Sequence, residues 1–195
     1  MNRTRAALLL ALALPVGIVE AQQQPAGPPA NPIVTSFRNR TTNLRRNLAQ
    51  AFDSIPASLF GYKPTPAQLS IGYVAQHLAS DNYFFCGNFS DKKATLSDKD
   101  TSTPDSVKAT WPKDSLVVKL KASIAFCDEV MGPLDDSKVS NMVTMTGANG
   151  QTRQLPRINF LVGHAIDLAD HYSQIANYMR INNLVPPSAL PRPKP

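Results

Sequence analysis

Residues 161–178, LVGHAIDLADHYSQIANY, decide the architecture. Leu161, His164, Leu168, His171, Ile175 and Tyr178 recur at alternating steps of three and four, so all six share one stripe of an α-helix. The stripe is apolar except for two imidazoles and the tyrosine hydroxyl. Such a helix must bury its stripe against other elements, and its type limits what those elements are. The spacing predicts a helix over 156–182.

Working outward, Val117, Leu120, Ile124, Cys127 and Met131 repeat the same steps and predict a helix over 114–131, ended by Gly132-Pro133. Between these two helices, Met142–Thr146 and Gln151–Leu155 flank a Gly147-Ala148-Asn149-Gly150 turn, which reads as a short hairpin. Upstream, Thr65-Pro66-Ala67-Gln68 fits a capping box and starts a helix that stops at Gly87-Asn88. Leu69, Tyr73, His77, Ser80 and Phe84 share a face of it, widened by Val74, Leu78 and Phe85. The first helix covers 33–55, with Val34, Phe37, Leu44, Leu48, Phe52 and Ile55 inward and Pro56 closing it. The stretch 89–112 is polar without helical period. A connection of that length lets the third helix return parallel to the second. The expectation is an all-α four-helix bundle with a long crossover between helices 2 and 3.

The termini read differently. Asn2-Arg3-Thr4-Arg5 is a basic start, Ala6–Val19 is apolar, and Val19-Glu20-Ala21 offers a small-residue cleavage site. This is the pattern of a cleaved signal peptide over 1–21, which places the protein in the periplasm or outside the cell with no stable membrane anchor after cleavage. Residues 22–32 (QQQPAGPPANP) read as a disordered leader, 33–185 as the bundle, and 186–195 as an extended Pro-rich tail. Formal charge is +6. Arg38, Arg40, Arg45 and Arg46 cluster on the first helix and Lys92, Lys93 and Lys99 in the crossover, but no stacking aromatics or nucleic-acid motif accompany them. They read as solvated faces, and a nucleic-acid partner is not expected.

All three histidines fall on predicted inward faces: His77, His164 and His171. His164 and His171 lie about 10.5 Å apart along the axis, too far for one ion. Asp167 and His171 are one turn apart and converge. With His77 from a facing helix they would form a two-histidine, one-carboxylate site for a divalent transition metal, Zn, Ni, Fe or Mn. The other reading is that these are hydrogen-bonded polar core residues. Asp170, further round the helix, reads as solvated, and Tyr178 as packing or as support for a ligand.

Cys86 ends the second helix and Cys127 lies in the third helix's stripe. In parallel neighbours the two meet at one level. In an oxidising compartment they would bridge; otherwise they are two buried thiols.

Three stretches resemble the DinB-like superfamily: Tyr62-Lys63-Pro64-Thr65-Pro66, the S-I-G-x-x-x-x-H-L run Ser70–Leu78, and the closing helix His164–Arg180 followed by Leu184-Val185-Pro186-Pro187-Ser188. The resemblance implies an up-down-down-up bundle, often a homodimer. It also implies a divalent metal held by one histidine of the second helix and two, four apart, of the last. Those positions are His77, 167 and His171, and position 167 is Asp here. His164 and Tyr178 would stand behind the ligands. Related members include bacillithiol- and mycothiol-dependent transferases and a maleylpyruvate isomerase type. The implied function is a metal-dependent thiol transferase or hydrolase acting on a small electrophile. The alternative is a non-enzymatic binding or structural bundle whose site has degenerated.

Overall fold

Helix α1 (Pro32–Ser54) opens on a proline, whose missing N–H costs nothing at that position. Its first free amides are capped from far along the chain: Ile33 and Val34 donate to the Asp136 carboxylate at 2.9 and 2.8 Å. Asn31 Oδ1 in turn accepts from the Asp136 amide. The computed structural model describes residues 30–147 and 149–191. The expected signal peptide, residues 22–29 of the expected leader and the last four residues of the tail lie outside the described residues.

Helix α2 (Ile71–Phe89) begins later than the capping box suggests. Thr65 is used in a turn, with its backbone oxygen accepting from the Gln68 amide. The cap is Ser70, whose Oγ accepts from the Tyr73 amide at 3.2 Å. The reason is a supply of acceptors. The amides of Ile71 and Gly72 donate to the carbonyls of Tyr62 and Phe60, so the first turn is satisfied at Ser70. Gly87 does not stop the helix; it stays inside α2, buried, with its carbonyl accepting from Lys93 Nζ.

The crossover carries two short helices, α3 (Asp98–Ser102) and α4 (Asp105–Lys108), where the sequence showed no period. Ser97 caps α3 through its side chain. The crossover packs back on α2 at Gly72, where a Cβ would meet the Ala109 carbonyl oxygen at 2.4 Å. Helix α5 (Lys113–Met131) follows, then the antiparallel hairpin β1 (Met142–Thr146) and β2 (Thr152–Pro156), paired from Met142↔Pro156 to Thr146↔Thr152. Gly150 takes φ +75° at the turn. Helix α6 (Arg157–Ile181) closes the bundle.

Cross-links give the directions. Asn82–Ser123 and Cys86–Cys127 advance together, so α2 and α5 are parallel. His77–His171 and Phe84–Phe160 run oppositely, so α2 and α6 are antiparallel. Phe37 meets both Phe89 and His164, which sets α1 against α2 and along α6. The order is up-down-down-up.

The core is two apolar clusters. One gathers Leu48, Phe52, Leu78, Leu116, Leu168 and Ile175; the other Val34, Phe89, Phe126, Met131, Phe160 and Leu161. The buried polar residues Thr41, Arg45, Asn82, Ser123 and His164 belong to neither cluster. Arg45, expected on a solvated face, is 2% exposed and donates to Asp128 at 2.7 Å. Its aliphatic stem fills core space while the guanidinium reaches a carboxylate at the surface.

The inward face of α2 differs from the expected one. Ile71, Val74, Ala75, Leu78, Ala79, Asn82, Cys86 and Phe89 are buried, while Leu69 and Phe84 are exposed. Two helices, α5 and α6, claim α2, so its buried face is broad and turned from the aromatic stripe. His77 therefore sits at the edge of the α2–α6 seam. The tail also departs from expectation: Pro187–Ala189 forms a 3₁₀ turn, Pro186 is buried, and the Ser188 amide donates to Tyr172 Oη at 2.8 Å. Among the described residues no helix is long and apolar enough to cross a membrane.

Candidate metal centre

Asp167 projects from α6 between its own His171, one turn on, and His77 of α2. Its Oδ1 lies 3.4 Å from His171 Nε2 and 3.8 Å from His77 Nε2. The three ligand atoms all fall within 4.8 Å of one another. A tetrahedral ion with bonds near 2.1 Å separates its ligands by about 3.4 Å, so this spacing suits one ion. The rings of His77 and His171 meet edge to face at 4.8 Å, and the Tyr73 ring lies nearly parallel to His77 with centroids 6.2 Å apart.

The imidazole of His171 is fixed from behind. Its Nδ1 is 3.0 Å from Gln174 Oε1, and the Gln174 amide nitrogen donates to Tyr178 Oη at 2.9 Å. An amide oxygen can only accept, so Nδ1 carries a proton, and the proton that Asp167 favours on Nε2 is the one an ion would displace to reach that nitrogen's lone pair. Nδ1–H with Nε2 free is the tautomer a metal ligand needs. Tyr178 thus supports the site at one remove. Asp167 Oδ2 is buried without a hydrogen-bond partner. A carboxylate oxygen removed from water and left unpaired is costly.

Sequence reasoning missed Asp81. Its Oδ2 lies 3.3 Å from His77 Nε2, one turn along α2. The signal was present: His77-x-x-x-Asp81 mirrors Asp167-x-x-x-His171 across an antiparallel seam. Burial raises the Asp81 carboxyl, and Asp167 and Asp105 add to the rise against the opposing pull of His77 and His171. Burial would lower the His171 imidazole, but its contacts with Asp167 and Gln174 and the charge of Asp170 outweigh it, and the net direction is up. Asp170 is exposed, as expected.

His164 stands apart from this group. It is fully buried, and its Nε2 faces Asn82 Oδ1 at 2.8 Å and the sulfurs of the Cys86–Cys127 disulfide at 4.0 Å each. It does not support the ligands of the first site. Burial, with the Arg45 guanidinium nearby, pushes its imidazole down to about 3. His77, by contrast, is about a third exposed and not an inward core residue.

An open trough of ≈ 750 Å³ reaches His171 and is bordered by Gln68, Leu69, Gln174 and Asn177. It gives a small molecule a route to His171.

No protein-family model and no curated protein matches the chain. Solved structures do. A DinB-like protein from Bacillus cereus ATCC 10987 superposes with TM-score 0.60 at 18% identity, over 78% of this chain and 95% of that one. A protein assigned to the DinB family from Exiguobacterium sibiricum 255-15 gives 0.53 at 18%, over 77% and 91%. A mycothiol-dependent maleylpyruvate isomerase gives 0.56 at 13%, over 73% of this chain but only 59% of the isomerase. At these identities the likeness is one of fold: the bundle is that of DinB-like proteins.

Proposed function

We propose that the protein binds one divalent transition ion, zinc, nickel, iron or manganese, through His77 Nε2, an Asp167 carboxylate oxygen and His171 Nε2. We further propose that it uses the ion in transfer or hydrolysis chemistry on a small electrophile. The observation that carries this reading is the unpartnered, buried Oδ2 of Asp167. A carboxylate facing two imidazoles, with one oxygen unsatisfied, is a donor set that a cation would satisfy. Asp in place of a third histidine keeps the donor count and lowers the net charge of a loaded site by one.

The ion, when bound, would lower the pKa of a water or thiol and polarise an electrophile. The chain's own groups supply the rest. Gln174 holds the proton on His171 Nδ1, and Tyr178 orients Gln174. Asp81 lies beside His77 with a carboxyl raised by burial, which suits it to accept and return a proton near the reacting group. The trough over His171 admits the substrate. One fold neighbour is a mycothiol-dependent maleylpyruvate isomerase, which supports a thiol as co-substrate.

Export forms part of the same proposal. The basic start, apolar run and Val19-Glu20-Ala21 support cleavage of 1–21, and the disulfide suits an oxidising compartment.

Elemental analysis of never-chelated protein tests the metal. About one ion per chain is expected, lost in His77→Ala and in Asp167→Asn. Sub-stoichiometric metal that neither variant lowers would remove the basis of the reading.

A further inference from the structure

The second cluster of ligating atoms lies inside the bundle, at Cys86, Cys127 and His164. All three are fully buried, and one atom from each lies within 4.8 Å of the others. Their elements fix them: Cys86 on α2, Cys127 on α5, His164 on α6. The Cα atoms of the cysteines are 5.3 Å apart.

We propose that this cluster is a redox-gated ion site: once the disulfide is reduced, the two thiolates and His164 Nε2 take one soft divalent ion, such as zinc or cadmium. Reduction by a phosphine balances with one water, giving a phosphine oxide and two thiols. Each thiol then releases its proton to solvent as the ion binds. Two thiolates and a divalent ion sum to no net charge. The core around them, which includes Phe37, Phe85 and Phe89, therefore receives no uncompensated charge.

Three further observations prepare the site. Both sulfurs already lie 4.0 Å from His164 Nε2. A tetrahedral ion with Zn–S bonds near 2.3 Å and Zn–N bonds near 2.1 Å needs each sulfur about 3.6 Å from the nitrogen and the two sulfurs about 3.8 Å from each other, so each S–N approach is already close and the main movement is the parting of the sulfurs once their bond is reduced. Asn82 offers a fourth donor: its Oδ1 is 2.8 Å from Nε2, and its backbone oxygen is 3.4 Å from Cys127 Sγ. Finally, His164 Nδ1 is buried with no partner. In the disulfide state Nε2–H donates to Asn82, whose orientation is set by its own donation to Ser123 Oγ at 2.9 Å. The vacant Nδ1 is where that proton goes when Nε2 turns to an ion.

The site is independent of the first, since residues 164 and 171 lie about 10.5 Å apart along α6. The test uses full-length protein carrying His77→Ala and His171→Ala, so the first site is removed. The protein is titrated with cadmium under nitrogen, with and without a phosphine reductant. The near-ultraviolet cadmium–thiolate band is read together with helical circular dichroism. The expected result is no band in the oxidised protein and a band saturating at one cadmium per chain after reduction. The band disappears in Cys127→Ser, and binding is at least tenfold weaker in His164→Ala. Where reduction unfolds the background, cadmium restores the helical signal. No band on reduction, no restoration of helicity, an equal band in Cys127→Ser, or unchanged affinity in His164→Ala overturns the proposal.

Discussion

Acidification should destabilise the protein through His164, and the amount follows from its surroundings. The imidazole is fully buried, and its Nδ1 has no partner that a proton could serve. Burial and the nearby Arg45 hold it down to about 3, against 6.5 when unfolded. Because the folded value is the lower one, the unfolded chain binds the extra proton as pH falls below 6.5. Stability is complete above that value, falls by about 1.4 kcal/mol per pH unit beneath it, and levels off near pH 3. Between about pH 7.5 and about pH 4.5 this one group removes ~3 kcal/mol. That is a large part of the 5–15 kcal/mol typical of a domain.

The assay is urea unfolding at both pH values with the disulfide intact, for the native protein and His164→Leu. The substitution leaves Asn82 Oδ1 without its donor, which costs roughly 1–3 kcal/mol at any pH. The informative quantity is therefore the difference of differences: the native protein should lose ~3 kcal/mol more on acidification than the variant. Other titrating groups cancel between them. Equal losses would refute the reasoning, showing that the imidazole is either solvated or protonated in the folded state.

Three further outcomes are expected. Gln174→Leu leaves His171 Nδ1 without its acceptor and should weaken ion binding about 10–100-fold, measured by competition with a chromophoric chelator, while the fold is retained. Gly72→Ala places a methyl against the Ala109 carbonyl, where backbone must move, and should cost about 1–3 kcal/mol in thermal unfolding. Reducing the disulfide with metal chelated away opens a loop spanning 41 positions and should lower stability by about 4 kcal/mol in the chain-entropy model, read from urea midpoints.

The four long helices, the hairpin and the parallel run of α2 and α5 were legible because each rests on periodicity or on connection length. The α2 start was not, because Thr65 and Ser70 are both good caps, and the choice was made by the carbonyls of Phe60 and Tyr62. Those acceptors come from a preceding turn whose path is a tertiary matter. The inward face of α2 was misread for a related reason. A helix with two partners has a broad buried face, and aromatic residues such as Phe84 can sit on its outer edge. Arg45 carried no sign of burial, since Asp128 is distant in sequence. In the candidate site, Asp167 and His171 were found by helical spacing. Asp81 was missed although it has the same spacing to His77 in reverse order.

The two histidines of the α6 stripe show why residue type alone does not assign a role. His164 and His171 occupy equivalent positions two turns apart, yet their surroundings drive them in opposite directions. His171 meets Asp167, Gln174 and the charge of Asp170, and its affinity for a proton rises despite burial. His164 meets a guanidinium, an aromatic cage and a disulfide, and its affinity falls. The consequences for stability are opposite in sign. The His171 contribution is present at low pH and fades as pH rises through its elevated value, whereas the His164 contribution is present at neutral pH and fades on acidification. A base of raised proton affinity is also one whose lone pair is drawn toward cations, so ion loading at His171 must displace a proton and should strengthen as pH rises. At His164 the imidazole is already neutral, so its proton only has to pass from Nε2 to Nδ1, and what then stands between Nε2 and an ion is the sulfur–sulfur bond.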